Sequence, residues 1–156
     1  MLNFKKILIY IFFIITFSLA NSNAEVVKKV IIEGNERISN ETIVIYGDIE
    51  LGKDYEISDV NSLIKKLYET NFFSNIAIEL KNGVLDIFVK ENPIVNSIVF
   101  KGEKADKYKE AITQMISLRE KTSYLKNYVK TDINVIKEFY RELGFYFAKI
   151  ELDIEE

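Results

Sequence analysis

The sequence predicts an α+β fold of two tandem β-α-α-β-β units, each with two helices on a three-stranded sheet, the second lacking its last strand. Three observations lead to this prediction. The composition is globular, with 48% apolar and 29% charged residues among 156. Segments of the chain recur in the same order. An Asn-Gly pair also separates two alternating segments, which is a strong hairpin signal.

The repeat consists of three pairs of segments that agree in apolar and polar character. The pairs are Val26–Gly34 with Ile94–Gly102, Leu67-Tyr68 with Phe139-Tyr140, and Phe73–Leu80 with Phe145–Leu152. The shift is 68 residues for the first pair and 72 for the other two, so the second copy has gained four residues. Because the order is kept, the pattern indicates duplication. We therefore expect units over residues 25–93 and 94–156, with Pro93 at a short joint.

The first 24 residues are typical of a secretory signal peptide. Lys5 and Lys6 precede an apolar core of 14 residues, Ile7–Ala20, and a small residue stands at Ala24. A membrane-spanning helix needs about 20 apolar residues. We therefore expect cleavage between Ala24 and Glu25, with an uncleaved anchor as the alternative.

The first unit begins with a β-branched strand, Val26–Glu33, which Gly34 closes. Ser39 is expected to cap a short helix that ends at Gly47, a residue suited to a left-handed exit. Leu51–Asp54 is predicted as a loop.

The second helix of the unit is expected to begin after Ser58 as its N-cap. Its apolar residues recur at i, i+3, i+4 and i+7, a spacing that predicts one buried face: Val60, Leu63, Ile64 and Leu67. The strand Ser74–Lys81 follows, and Asn82-Gly83 turns the chain into a return strand, Val84–Lys90.

The second unit is expected to follow the same plan. Its strands are predicted over Ile94–Lys101 and Phe145–Ile154, with helices around Ile112 and Tyr140. The inward face of the later strand would hold Ala148, Ile150, Leu152 and Ile154. A return strand would begin near residue 156, so we expect the helices to form and the sheet to be weak or mispaired.

Composition argues against an enzyme and against several kinds of site. Cysteine and histidine are both absent, which excludes disulfides, the usual zinc sites and imidazole bases. The net charge of −3, without a basic stripe, argues against nucleic acid. Candidate acids are expected to be solvated: Asp48, Glu50, Glu151, Asp153, Glu155 and Glu156. We therefore expect no catalytic residue, metal or cofactor.

Aromatic residues cluster near the end of the chain. Tyr140, Phe145, Tyr146 and Phe147 would line a groove between a helix and an edge strand, or else pack in the core. Core packing is favoured for Tyr140 and its neighbour Phe139.

Several segments resemble POTRA modules of the outer-membrane β-barrel assembly family. The first module is matched by Val30–Ile38, Glu41–Ile43, Leu67–Phe73 and Val89–Pro93, and the second by Ile98–Gly102 and Glu138–Phe145. The resemblance implies a periplasmic, non-enzymatic binding role at the outer membrane. Implied partners are unfolded outer-membrane β-barrel proteins, periplasmic chaperones and lipoprotein subunits. Membrane contact would come only through a barrel, which this sequence does not contain.

The resemblance also implies that Ser74–Lys81 is an edge strand that binds extended peptides by β-augmentation. Its exposed positions would be Ser74, Asn75, Ala77, Glu79 and Lys81. The alternative is an edge that is only solvated and is guarded by Glu79 and Lys81.

Other functions stay open at this point. The chain would also suit a two-partner secretion or translocation assembly transporter. A free-standing periplasmic scaffold and a small periplasmic enzyme are further alternatives. The chain is expected to be either a fragment of a longer protein or a short secreted module.

Overall fold

The computed structural model describes residues 24–155, and over this range the α+β fold class is confirmed. The predicted signal segment before Ala24 and the acidic residue Glu156 lie outside the described residues. The elements in chain order are β1 (Glu25–Val26), β2 (Lys29–Glu33), α1 (Asn40–Gly47), β3 (Asp54–Tyr55), α2 (Ile57–Glu69), β4 (Phe73–Lys81), β5 (Val84–Glu91), α3 (Asp106–Met115) and α4 (Lys126–Glu142).

The main sheet has the strand order β2-β5-β4, so the last strand of the first unit lies in the middle. Strand β5 pairs parallel with β2 and antiparallel with β4. The predicted hairpin is confirmed. Asn82 and Gly83 both have positive φ angles, 54° and 77°, as a two-residue turn between twisted strands requires.

The core lies between β5 and α2. Leu85, Ile87 and Val89 alternate along β5 and are buried, while Leu63 and Leu67 are buried on α2. The predicted apolar stripe of this helix is therefore the face that covers the sheet.

The predicted first strand is divided in two because its residues take different partners. Val26 pairs with Asp54 of β3, in a segment that was predicted as a loop. Val27 then exchanges main-chain hydrogen bonds with Lys53 and Gly52. From Lys29 the chain pairs with β5 instead.

One predicted helix cap is correct and two details are wrong. Ser39 Oγ accepts the N–H of Thr42 at 3.2 Å. The left-handed residue after α1 is Asp48, at φ 55°, whereas Gly47 is buried against Ile49. Ser58 lies inside the first turn of α2, because the helix begins earlier.

The actual N-cap of α2 is Glu56, whose N–H donates to Oδ2 of Asp59 at 2.9 Å. A side-chain acceptor three residues into the helix thus satisfies the main chain at its start. Ser58 instead accepts, through its carbonyl oxygen, the hydroxyl of Ser62.

The internal repeat is visible in the hydrogen bonds. As Val27 bonds to Lys53 and Gly52, so Val95 bonds to Thr122 and Lys121. Helix α4 has 17 residues and its counterpart α2 has 13. The four residues gained by the second copy therefore amount to about one helical turn.

The strands predicted over 94–101 and 145–154 are not formed within the described residues. The one pairing there is an isolated bridge between Ile94 and Ser123. In the first unit β2 and β4 pair only with β5, and residues 94–155 contain no counterpart of β5. Leu152 and Ile154, predicted to face inward, are accordingly 49% and 55% exposed.

The joint between the units is held on both sides. The N–H of Asn92 donates to the carbonyl of Phe72, and the Asn92 carbonyl accepts Nη2 of Arg37, both at 2.7 Å. The next carbonyl, that of Pro93, accepts the N–H of Tyr124 from the second unit at 2.7 Å.

A single carboxylate closes the loop from β2 to α1. Oε1 of Glu91 accepts the main-chain N–H groups of Glu36, Arg37 and Ile38, each at 2.9 Å. Its Oε2 lies 2.9 Å from Nε of Arg37 in an ion pair. Burial alone would raise the pKa of Glu91, but the three N–H groups and the Arg37 guanidinium together lower that pKa below its usual value.

We expect Gly34→Ala to destabilise the first unit more than Gly52→Ala. Both glycines have φ near +85°, which costs another residue about 1–2 kcal/mol. A Cβ at Gly34 would also overlap the carbonyl oxygen of Val89, whereas none of the described atoms lies within 4 Å of that position at Gly52. Urea unfolding should show Gly34→Ala to be less stable by about a further 1–3 kcal/mol. Equal losses would contradict the close approach.

We expect Glu91→Gln to lower the free energy of unfolding at pH 7 by about 1–3 kcal/mol, since a charged acceptor is lost. The folded-state pKa of Glu91 lies below the unfolded value of about 4.3, so its stabilisation is full above that value and is lost as pH falls through the folded pKa. The difference between wild type and variant in urea unfolding should therefore shrink from pH 7 to pH 3. Glu50→Gln, at an exposed carboxylate, is the control, and a difference independent of pH would refute this role of Glu91.

Candidate functional site at the edge of the sheet

Strand β4 lies at the edge of the sheet, and among the described residues its one partner strand is β5. The structure places Ser74, Asn75, Ala77, Glu79 and Lys81 on this strand with exposed side chains. The strand begins irregularly, with a register shift between Phe73 and Asn75. Ser74 fills this irregularity, since its hydroxyl donates to the carbonyl of Lys90 at 3.1 Å.

The main chain of β4 alternates between its partner and the open edge. Lys81 pairs with Val84 across a two-residue turn, so these two residues exchange hydrogen bonds and every second residue before Lys81 also faces β5. The intervening residues, Ile76, Ile78 and Leu80, direct their N–H and C=O groups away from β5. One hydrogen bond supports this assignment, because the N–H of Ile76 donates to the Tyr68 hydroxyl at 3.1 Å.

The outward main-chain groups therefore belong to other residues than the exposed side chains that were predicted as the site. Asn75, Ala77, Glu79 and Lys81 supply side chains, but their main chain is used by β5. Ile78 and Leu80 supply the outward main-chain groups, with their own side chains half-buried. The two-residue Asn82-Gly83 turn is the sequence signal that could have identified Ile78 and Leu80. It fixes which residue pairs between β4 and β5 are hydrogen-bonded, and so which residues face the open edge.

Helix α2 lies beside strand β4 and forms the apolar wall of this site. It packs against β4 and holds Ile64 partly buried against the same core as Ile78 and Leu80. Tyr68, near the end of the helix, is 41% exposed. The edge thus combines outward main-chain groups with an apolar surface beside them, which is what β-augmentation uses.

A second candidate is the predicted aromatic cluster near the end of the chain. An open groove of about 580 Å³ is lined by Glu103, Tyr108, Tyr140, Phe145, Tyr146 and Phe147. Tyr140 is half-buried and contacts Phe139 and Tyr108 edge-to-face, so the prediction of packing is correct for it. Phe147 is 96% exposed. The groove borders an irregular segment and not the predicted edge strand.

Within this groove the Tyr140 hydroxyl donates to the carboxylate of Glu103. Burial, and then this hydrogen bond, raise the pKa of Tyr140 to about 12. The same hydrogen bond lowers the pKa of Glu103. A tyrosine that holds its proton so firmly next to an ionised acid serves as a fixed donor and not as an acid–base catalyst near neutral pH.

Three of the candidate acids lie in exposed ion pairs, and Glu50 and Glu151 are exposed. Asp48 is 2.9 Å from Lys66, and Asp153 and Glu155 are each 3.0 Å from Lys101. Over residues 24–155 no three acidic residues come together in a way that could hold a metal ion. Within the same range, no helix has the length and apolar character needed to cross a bilayer.

Comparison with known proteins shows what this chain is similar to. Residues 93–156 match the POTRA family, described as a surface antigen variable number repeat. The chain also superposes on POTRA1-2 of the periplasmic domain of Omp85 from Anabaena, with a TM-score of 0.52 at 13% identity, covering 86% of this chain and 89% of that one. The family match thus covers residues 93–156, and the superposition shows that the described chain shares the fold of that POTRA pair. The resemblance found in the sequence is thereby confirmed.

The sequence relatives are longer proteins. This chain is 28% identical over 119 residues to the outer membrane protein assembly factor BamA of Neorickettsia risticii, an alignment that covers 76% of this chain and 16% of that protein. It is 32% identical over 73 residues to BamA of Neisseria meningitidis serogroup B, covering 47% of this chain and 9% of that protein. The N-terminal domain of Omp85 from Thermosynechococcus elongatus shares the fold, with a TM-score of 0.51 at 14% identity, over 76% of this chain and 52% of that one.

We expect the amides of β4 to exchange with solvent in an alternating pattern. Ala77 and Glu79 should exchange slowly because they donate to β5, and Ile78 and Leu80 should exchange fast because they face the edge. Ile76 should be slow through its bond to Tyr68. Residue-resolved hydrogen exchange measures this directly. Slow exchange at Ile78 and Leu80 in the isolated protein would mean that the edge is already covered.

Proposed function

We propose that this POTRA tandem is the periplasmic part of an outer-membrane β-barrel assembly factor of the BamA type, and that it binds unfolded barrel precursors at the β4 edge. The observation that supports this most directly is the outward main chain of Ile78 and Leu80 beside the apolar wall of α2. The protein would act by binding, without catalysis, metal or cofactor.

Main-chain pairing suits such a role because it is largely independent of side-chain identity. An extended guest adds a strand to β4, and its alternate side chains face α2 or solvent. Barrel precursors consist of segments of alternating hydrophobicity, so one face of each segment is apolar. A surface that recognises extension and alternation can therefore serve many different precursors.

The same proposal covers location and partners. The segment before Glu25 would be a cleaved signal peptide, and the mature chain would begin at Glu25, which opens β1 and whose carboxylate accepts the N–H of Gly83. Modules would occupy residues 25–93 and 94–156, on the periplasmic side of the outer membrane. Chaperones and lipoprotein subunits of the assembly machine would be further partners.

We expect binding of an extended peptide to depend on which of its amides are N-methylated. The probe is an acetylated and amidated peptide with the sequence of Val84–Glu91, the natural neighbour of β4. In an antiparallel guest whose apolar side chains lie over α2, the amides of Leu85, Ile87 and Val89 face β4. Methylating these three amides removes the shared hydrogen bonds and should weaken binding by about tenfold or more, since each bond contributes about 0.5–1.5 kcal/mol. Titration of the protein followed by NMR gives the affinities.

The matched control is the same peptide methylated at the other set of alternate amides, which has the same composition and stiffness. It should bind nearly as well as the parent peptide, with shifts at Ile78 and Leu80. Equal weakening by both patterns would indicate recognition through side chains and would refute β-augmentation at this edge.

A further inference from the structure

Tyr68 occupies the first outward N–H of the β4 edge. Its hydroxyl oxygen accepts the N–H of Ile76 at 3.1 Å, from a side chain that α2 extends over the strand. A guest carbonyl can reach this N–H only by displacing the tyrosine. We propose that Tyr68 is a positioning residue that closes this end of the docking edge and so sets the register of a guest strand. This rests on the proposed function.

The strand offers no other place for the guest in this direction. Beyond Ile76 the regular ladder is interrupted at the shift between Phe73 and Asn75, where Ser74 bonds back to β5. The outward N–H groups that remain on β4 are those of Ile78 and Leu80. A guest is therefore confined to the half of the edge next to the hairpin.

Helix α2 has a separate anchor on the sheet. Leu67, the preceding residue, is fully buried and anchors α2 to the sheet, whereas Tyr68 is 41% exposed. In the second module the corresponding residue, Tyr140, uses its hydroxyl differently, since it donates to Glu103. The bond from Ile76 to Tyr68 is thus a property of this edge and not of every tyrosine at this position of the module.

The test is Tyr68→Phe, which removes the hydroxyl and keeps the ring. In the free variant the Ile76 amide should exchange faster than in wild type. With the peptide of sequence Val84–Glu91 bound, Ile76 should become slow again in the variant, because a guest carbonyl now takes its N–H. The variant should bind the peptide about twofold to tenfold more tightly through this added bond. In wild type, binding of the peptide should slow hydrogen exchange only at the amides of Ile78 and Leu80.

Tyr46→Phe, at an exposed tyrosine on α1, is the matched control and should change neither exchange nor affinity. The register role of Tyr68 is refuted if the Ile76 amide still exchanges fast in the complex of the Tyr68→Phe variant, or if that variant binds the peptide more weakly. Binding of the peptide at Ile78 and Leu80 is not affected by either outcome. If the peptide slows amide exchange at neither Ile78 nor Leu80 in any variant, docking at the edge is refuted. The proposed role of Tyr68 is then refuted as well.

Discussion

The main sheet depends on β5, which lies between two strands that do not pair with each other. Every pairing in the main sheet is made to β5, parallel on one side and antiparallel on the other. The same strand supplies the buried residues Leu85, Ile87 and Val89 and ends in Glu91, which closes the β2–α1 loop. Because β5 takes the centre, β4 is left at an edge, and the candidate site follows from this topology.

The motif that carries the family resemblance is explained by the same strand. Gly34 lets the chain pass over the carbonyl of Val89, and the N–H groups after Asn35 converge on Glu91. The amide of Asn35 in turn donates to the carbonyl of Ile38 at 2.7 Å. These residues hold a loop in shape, which accounts for the motif in this chain without a direct part in binding.

Local pattern was enough to predict much of the fold from the sequence. The stripe from Val60 to Leu67, the Asn-Gly turn and the alternation of β4 each depend on neighbours within one element, and all are confirmed. Division of the first strand at Val27 was not predictable, because it depends on hydrogen bonds to Lys53 and Gly52. The prediction of strands over residues 94–101 and 145–154 was wrong for a related reason. A strand needs a partner strand, and residues 94–155 supply none.

The candidate site was predictable in part. Alternation identified the exposed side chains of β4, but the main-chain directions follow from the hairpin turn. Tyr68 reaches the edge because α2 packs against β4. A single sequence does not contain such contacts between elements. The position of the strand could be predicted from the sequence. The main-chain groups that would bind a guest could be identified only from the structure.

The hydrogen bonds at Asn92 and Pro93 have a mechanical consequence. One carbonyl of the joint is fastened to Arg37 in the first module and the next to Tyr124 in the second. A rotation of the residues after Pro93 relative to the first unit would have to break one of these bonds. The joint is therefore less free to move than a linker without hydrogen bonds. The two hydrogen bonds thus restrict rotation of the chain at Asn92 and Pro93.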